Sequence, residues 1–182
     1  MSDNRIRKMS CLVALTAAMV AAGCTSQVQH DHQAMASTVT VTDQWASSAE
    51  TGMAAVFGTL TNTGHHEARL VSGSSDVAGR VEVHEVATTG TANGTGSKTM
   101  RPKDGGIAIP ADGSHTLAPG SDHLMLMDLK QPLPPGAEVT LTVTFEDGST
   151  LPVTAQVRDF AGADEDYQPA AGGSAPPHHG HG

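Results

Sequence analysis

The chain has 182 residues, of which 38% are hydrophobic and only 3% aromatic, a length that suits one domain with tails and is short for two. A formal net charge of −9 argues against nucleic acid as a partner, because phosphate binding needs clustered Lys and Arg. Twenty glycines and ten prolines favour turns over a helical bundle, while ten histidines and eight methionines beside one Trp and one Tyr point to imidazole and thioether chemistry.

Residues 1–23 read as a lipoprotein signal peptide. Arg5, Arg7 and Lys8 precede an apolar run from Cys11 to Ala22, a positive region followed by a short hydrophobic one. The run is shorter than the ~20 apolar residues that a membrane-crossing helix needs. Ala21-Ala22-Gly23-Cys24 resembles a bacterial lipobox, so Cys24 is the expected lipid attachment site and the first residue of the mature chain. The expected location is extracytoplasmic, lipid-anchored at the outer face of the plasma membrane or in a periplasm. The leader holds three of the ten basic residues and one of the nineteen acidic ones (Asp3), so the mature chain keeps seven and eighteen, a net of −11. Cys24 is then its one cysteine, which excludes an intrachain disulfide and a thiolate metal site in the folded part.

Residues 24–37 are polar and aperiodic and read as a flexible tether. Residues 38–158 read as an all-β domain. Val39 and Val41 alternate with threonines ahead of Trp45, and residues 53–61 form an apolar run ending in the turn Asn62-Thr63-Gly64. Val81 and Val83 alternate with Glu82 and His84, and a Gly/Thr/Ser-rich loop is expected over residues 88–99. Ile107 and Ile109 precede a turn over residues 110–113, and Leu124 and Leu126 alternate with His123, Met125 and Met127. Val139, Leu141, Val143 and Phe145 alternate with threonines, and after a Glu-Asp-Gly turn come Leu151, Val153, Ala155 and Val157, the clearest hairpin in the chain. Short strands with frequent turns predict a Greek-key sandwich or barrel. Its core should be aliphatic side chains and threonine, since aromatics are scarce. Residues 159–182 are Gly/Ala/Pro-rich and acidic and read as a disordered tail.

The chemistry concentrates in His123-Leu124-Met125-Leu126-Met127. Alternate residues of a strand share a face. With Leu124 and Leu126 in the core, His123, Met125 and Met127 form an exposed face of soft donors. His84 closes another outward register, with Glu82 on its side, and Met100 ends the Gly/Thr/Ser-rich loop. Thioether sulfur is soft and neutral and binds Cu(I) far better than Zn(II), Ca(II) or Mg(II). Two methionines and two histidines would hold Cu(I) without a thiolate to oxidise. Met53, in an apolar strand, is assigned to the core, and Met127 to packing beneath the site. His65, His66 and His115 fall in or beside turns and read as solvated. His30 and His32 near the start, and His178, His179 and His181 at the end, have metal-binding spacing, and the latter group is expected to capture Cu(II) weakly.

Several segments in order resemble the periplasmic copper chaperones called PCu(A)C: residues 81–86 (VEVHEV), Met100-Arg101-Pro102, residues 107–110 (IAIP), Leu117-Ala118-Pro119-Gly120, residues 123–130 (HLMLMDLK), Gln131-Pro132-Leu133 and residues 144–148 (TFEDG). Trp45 and Asn62-Thr63-Gly64 fit the same pattern. The resemblance spans nearly all of residues 38–158. It implies His84, Met100, His123 and Met125 as ligands of one Cu(I) near the surface of a cupredoxin-like β-barrel. It further implies delivery towards the binuclear copper centre of cytochrome c oxidase, through a copper-accepting partner of oxidase assembly. Fifteen residues separate His84 from Met100, a longer loop than the family pattern, with Arg101-Pro102 fixing the place of Met100.

The expected function is thus a non-enzymatic, monomeric copper carrier. A blue-copper site needs a Cys thiolate that the domain lacks, and no Ser/His/Asp or paired-carboxylate signature suggests catalysis. The alternatives are copper storage or detoxification, and a surface domain that binds another protein without metal.

Overall fold

The computed structural model describes residues 33–89, 97–160 and 166–167. Within them the elements are α1 (Met35–Thr38), β1 (Val39–Ser47), β2 (Met53–Asn62), β3 (Ala68–Ser74), β4 (Arg80–Thr89), β5 (Ser97–Pro102), β6 (Ile107–Ile109), β7 (Gly113–Leu117), β8 (His123–Met127), β9 (Glu138–Phe145), β10 (Thr150–Arg158) and β11 (Asp166–Tyr167). Seven strands, in the order β4-β8-β2-β1-β10-β9-β3, close into a barrel when β3 pairs back onto β4 through Gly73 and Val81. A Cβ at residue 73 would lie 3.0 Å from the Thr142 carbonyl and 3.1 Å from Val81 Cγ1, so only glycine fits this seam without displacement. β1 and β10 run parallel and the other barrel pairs antiparallel, and pairings such as β4–β8, β2–β8 and β3–β9 join strands distant in sequence, as in a Greek key. β5 extends the sheet beyond β4 and β11 lies parallel beside it, while β6 flanks β3 and β7 flanks β2.

Inward positions fill the interior with Leu70, Ile107, Ile109, Leu126, Leu141 and Phe145, each almost fully buried. The core is aliphatic as expected, but the threonines of β9 are not part of it. Thr140, Thr142 and Thr144 point outward, and Thr140 meets Thr154 of β10 hydroxyl to hydroxyl at 3.2 Å. The expected strands correspond to β1, β2, β4, β6, β8, β9 and β10. β3, β5 and β7 lack a strong period-two signal, because Arg69, Ser72 or the polar residues of β5 and β7 interrupt it. The expected loop is shorter than residues 88–99, since β4 continues to Thr89 and β5 starts at Ser97.

The two tails are held further than composition suggests. In the segment expected as tether, α1 docks on the β9–β10 turn: the Met35 N–H donates to Asp147 Oδ2 at 2.8 Å and the Ala36 N–H to Ser149 Oγ at 3.0 Å. Hydrogen bonds from the Ser149 hydroxyl and then the Met35 amide hold the Asp147 carboxyl below the usual range. In the segment expected as disordered, Phe160 packs on Trp45 and Phe57, and β11 joins the sheet.

One irregularity in β1 decides what covers the outer face. Val41 lies opposite Leu60, but the register shifts between Thr42 and Trp45, with Asp43 at φ 54. One extra residue reverses which side chains point inward. Ala46 therefore enters the core opposite Val56, and Trp45 turns outward opposite Phe57. Asp tolerates this left-handed conformation, whereas a β-branched residue does not. Asp43→Val should destabilise the fold by about 1–2 kcal/mol. Asp43→Gly should retain both stability and the emission of Trp45, as urea unfolding followed by that fluorescence would measure.

Candidate metal centre

β8 lies between β4 and β2. His84 and His123 are direct partners across the β4–β8 ladder, so both side chains project to one side. Leu124 and Leu126 belong to the core, so that side is the outer one, and Met125 shares it. Pro102 lies opposite His84 on β5, and Met100 opposite Val86, which brings Met100 to the same side. The four expected residues thus share one face of the adjacent strands β5, β4 and β8.

That face is covered rather than exposed. His84 retains 0% of its accessible surface, His123 1% and Met125 3%. Alternation along a strand sets direction but not what packs above it. Here Phe57 lies 5.9 Å from His123 between ring centroids, Trp45 lies 4.5 Å from Phe57, and Phe160 lies 5.2 Å from Trp45 in an edge-on contact. The Arg158 guanidinium sits 5.7 Å from the centroid of the Trp45 ring.

Beside these rings lies a half-open cavity of about 200 Å³, with His123, Met125, Met100, Met53, Pro119 and Phe160 on its lining. His123 Nδ1 lies 2.9 Å from the Ser121 carbonyl. A carbonyl only accepts, so Nδ1 carries the proton and Nε2 the lone pair. Among the described residues the buried Nε2 meets no hydrogen-bond partner. Burial above all keeps this imidazole below its ordinary pKa, with the Ser121 carbonyl opposing and the His84 ring assisting. A neutral ring with its lone pair in hand thus borders a space lined by thioethers.

His84 does not line the cavity. Its ring stands 5.9 Å from that of His123 between centroids, at 61°. Its Nε2 donates to Glu82 Oε2 at 2.9 Å, and Glu82 also accepts from Arg80 Nε at 2.7 Å. On the other flank, Lys103 Nζ lies 3.1 Å from both Glu85 and Asp122, and Asp122 reaches His115 Nε2 at 3.0 Å. The Lys103 hydrogen bond, with Arg101 behind it, holds the Glu85 carboxyl below the usual range. The acids around the site are thus paired with cations. Among the described residues no three His, Cys, Asp or Glu converge as a metal site; what converges is sulfur and imidazole.

Met53 corrects its core assignment. Ala54 and Val56 enter the core, so Met53, Ala55 and Phe57 face outward, and Met53 lies opposite Met127. The alternation of β2 carries that signal, hidden by the apolar character of both its faces. Met127 is buried and packs beside the cavity without lining it. His65 meets Asp112 at 3.3 Å on the exposed surface and does not line the cavity. Residues 1–23, Cys24, His30, His32, His178, His179 and His181 lie outside the described residues.

These features define a class: a closed β-barrel with a cavity of thioethers and imidazole on one outer face. The chain belongs to the LpqE-like family, whose model, "Putative lipoprotein LpqE-like", matches residues 39–157. "Putative lipoprotein Lxx21020" of Leifsonia xyli subsp. xyli (strain CTCB07) is 42% identical over 130 residues, which cover 71% of this chain and 75% of that protein. The copper-bound PCuAC domain from PmoF2 aligns with a TM-score of 0.55 at 20% identity, over 70% of this chain and 98% of that domain. The apo PCuAC domain from PmoF1 gives a TM-score of 0.54 at 20% identity, over 70% of this chain and 99% of that domain. The fold is therefore that of PCuAC domains, as the motif resemblance implies. No helix among the described residues is long and apolar enough to cross a membrane.

If Phe160 roofs the cavity, Phe160→Ser should speed peroxide oxidation of Met100 and Met125 severalfold, read by peptide mass spectrometry. Met35, on the docked turn, should oxidise at an unchanged rate.

Proposed function

We propose that this protein is an extracytoplasmic copper carrier that holds one Cu(I) through His84, Met100, His123 and Met125. The observation that carries the reading is His123: a neutral imidazole whose Nε2 is buried, has no hydrogen-bond partner among the described residues and belongs to a ring lining a thioether-rich cavity. A buried nitrogen left without a partner costs free energy, and an ion that prefers soft neutral donors would offset that cost. Such an ion is Cu(I) rather than a hard divalent cation. The Ser121 carbonyl fixes the tautomer of His123, and Glu82 orients His84, the usual work of groups behind a ligand. A neutral His123 also means that little proton release accompanies binding near neutral pH.

The fold likeness to a copper-bound PCuAC domain fits this reading. Delivery proceeds by exchange: neutral donors yield one at a time to those of an acceptor. The acceptor we propose is the copper-accepting partner implied by the PCu(A)C resemblance, in cytochrome c oxidase assembly. Lipidation at Cys24 would hold the carrier at the membrane, consistent with the lipoprotein description of its family.

Competition against a Cu(I) chelator under reducing conditions should find one tightly held ion per chain. His123→Ala and Met125→Leu should each weaken it beyond the roughly 10–100-fold that groups behind a ligand are worth. Wild-type retention in both variants would refute the site. For the tail, we propose a weaker Cu(II) site at His178, His179 and His181. Deleting residues 176–182 should lower Cu(II) stoichiometry and leave Cu(I) retention unchanged, by the same titrations.

A further inference from the structure

The cavity lining holds one more soft donor than the four-residue set accounts for. Met53 comes from β2, the strand on the far side of β8 from His84. It pairs with Met127, and its neighbour but one, Ala55, pairs with Met125. The same lining includes the small residues Ser47, Ala55 and Gly120, which add little bulk to it. A methionine on a strand ordinarily fills a gap in packing. Met53 does not: it is outside the core cluster, half-buried, and borders empty volume.

His84 stands differently. Its Nε2 is engaged by Glu82 and its ring does not line the cavity. An ion seated in the cavity would meet Met53, Met100, Met125 and His123 on the lining. We propose that Met53 is a further ligand of the carried ion, completing a set of three thioethers and one imidazole inside the cavity, with His84 at its margin. This rests on the copper-carrier reading above. Three sulfurs also explain the position of Met53 on a strand flank remote from His84. Cu(I) can then remain held by Met53 and the β8 donors while Met100 on β5 exchanges with an acceptor.

The test uses the full chain under reducing conditions. Met53→Leu conserves volume, and its thermal unfolding midpoint checks the fold. Chelator competition should show Cu(I) retention weakened at least about tenfold in this variant, given that even groups behind a ligand are worth roughly 10–100-fold. A second readout leaves the chain unsubstituted. With 13C-methyl methionine, one equivalent of Cu(I) should shift the methyl signal that is missing from Met53→Leu, together with those of Met100 and Met125, while Met35 stays still. A static Met53 signal with wild-type retention in Met53→Leu, while Met125→Leu loses the ion, overturns the inference and leaves the carrier reading standing. Wild-type retention in Met53→Leu, Met125→Leu and His123→Ala alike overturns both.

Discussion

Leu124 and Leu126 decide where the donors of β8 point. Both lie in the barrel core, and burying each contributes about 1.5–3 kcal/mol. A slip of β8 by one residue would expose both leucines and bury His123, Met125 and Met127 in an apolar interior. The core thus fixes the register, and the register fixes the outward direction of the donors. His84 follows for the same reason, because Val81 and Val83 hold β4 in step with β8. The site is therefore a consequence of the core, built on strands rather than on loops, which favours a preset geometry.

The chain spends its few aromatic residues on this face. It has three Phe and one Trp; Phe145 serves the core, while Trp45, Phe57 and Phe160 gather over the outer face beside His123. The β1 bulge makes this possible. With unbroken alternation from Val39 and Val41, Trp45 would fall inside a barrel already filled by aliphatic side chains. The extra residue at Asp43 sends it out. Stability and site construction are linked through one left-handed residue.

Most of the barrel could be read from period-two alternation, because β4, β8, β9 and β10 each oppose aliphatic to polar or donor side chains. The direction of His84, His123 and Met125 was legible for the same reason. Three features were not. Burial of the site depends on Phe160 and on Trp45, one beyond the recognisable strands and the other reversed by a bulge at Asp43, a lone Asp inside a strand pattern. Met53 was hidden because β2 is apolar on both faces, so composition suggested core where alternation with Ala54 and Val56 dictates the outside. Threonine was expected in the core from a shortage of aromatics, yet the β9 threonines face outward because Val139, Leu141, Val143 and Phe145 take the inward positions. Only the burial of the site needed long-range neighbours; the other two outcomes follow alternation within a single strand.

Charge placement bears on which ion such a cavity accepts. The chain is acidic overall, with a formal net charge of −9, yet among the described residues no carboxylate lines the cavity. Glu82 is held by Arg80 and His84, and Glu85 and Asp122 share Lys103. Hard divalent cations draw their affinity from oxygen donors and from negative charge. Those resources are present nearby but committed to ion pairs. What faces the cavity is neutral: thioethers and an imidazole kept neutral by burial. On the carrier reading, selectivity arises as much from this withholding of carboxylates as from the affinity of sulfur for Cu(I), and neutral donors can release a monovalent ion without leaving a buried anion unpaired.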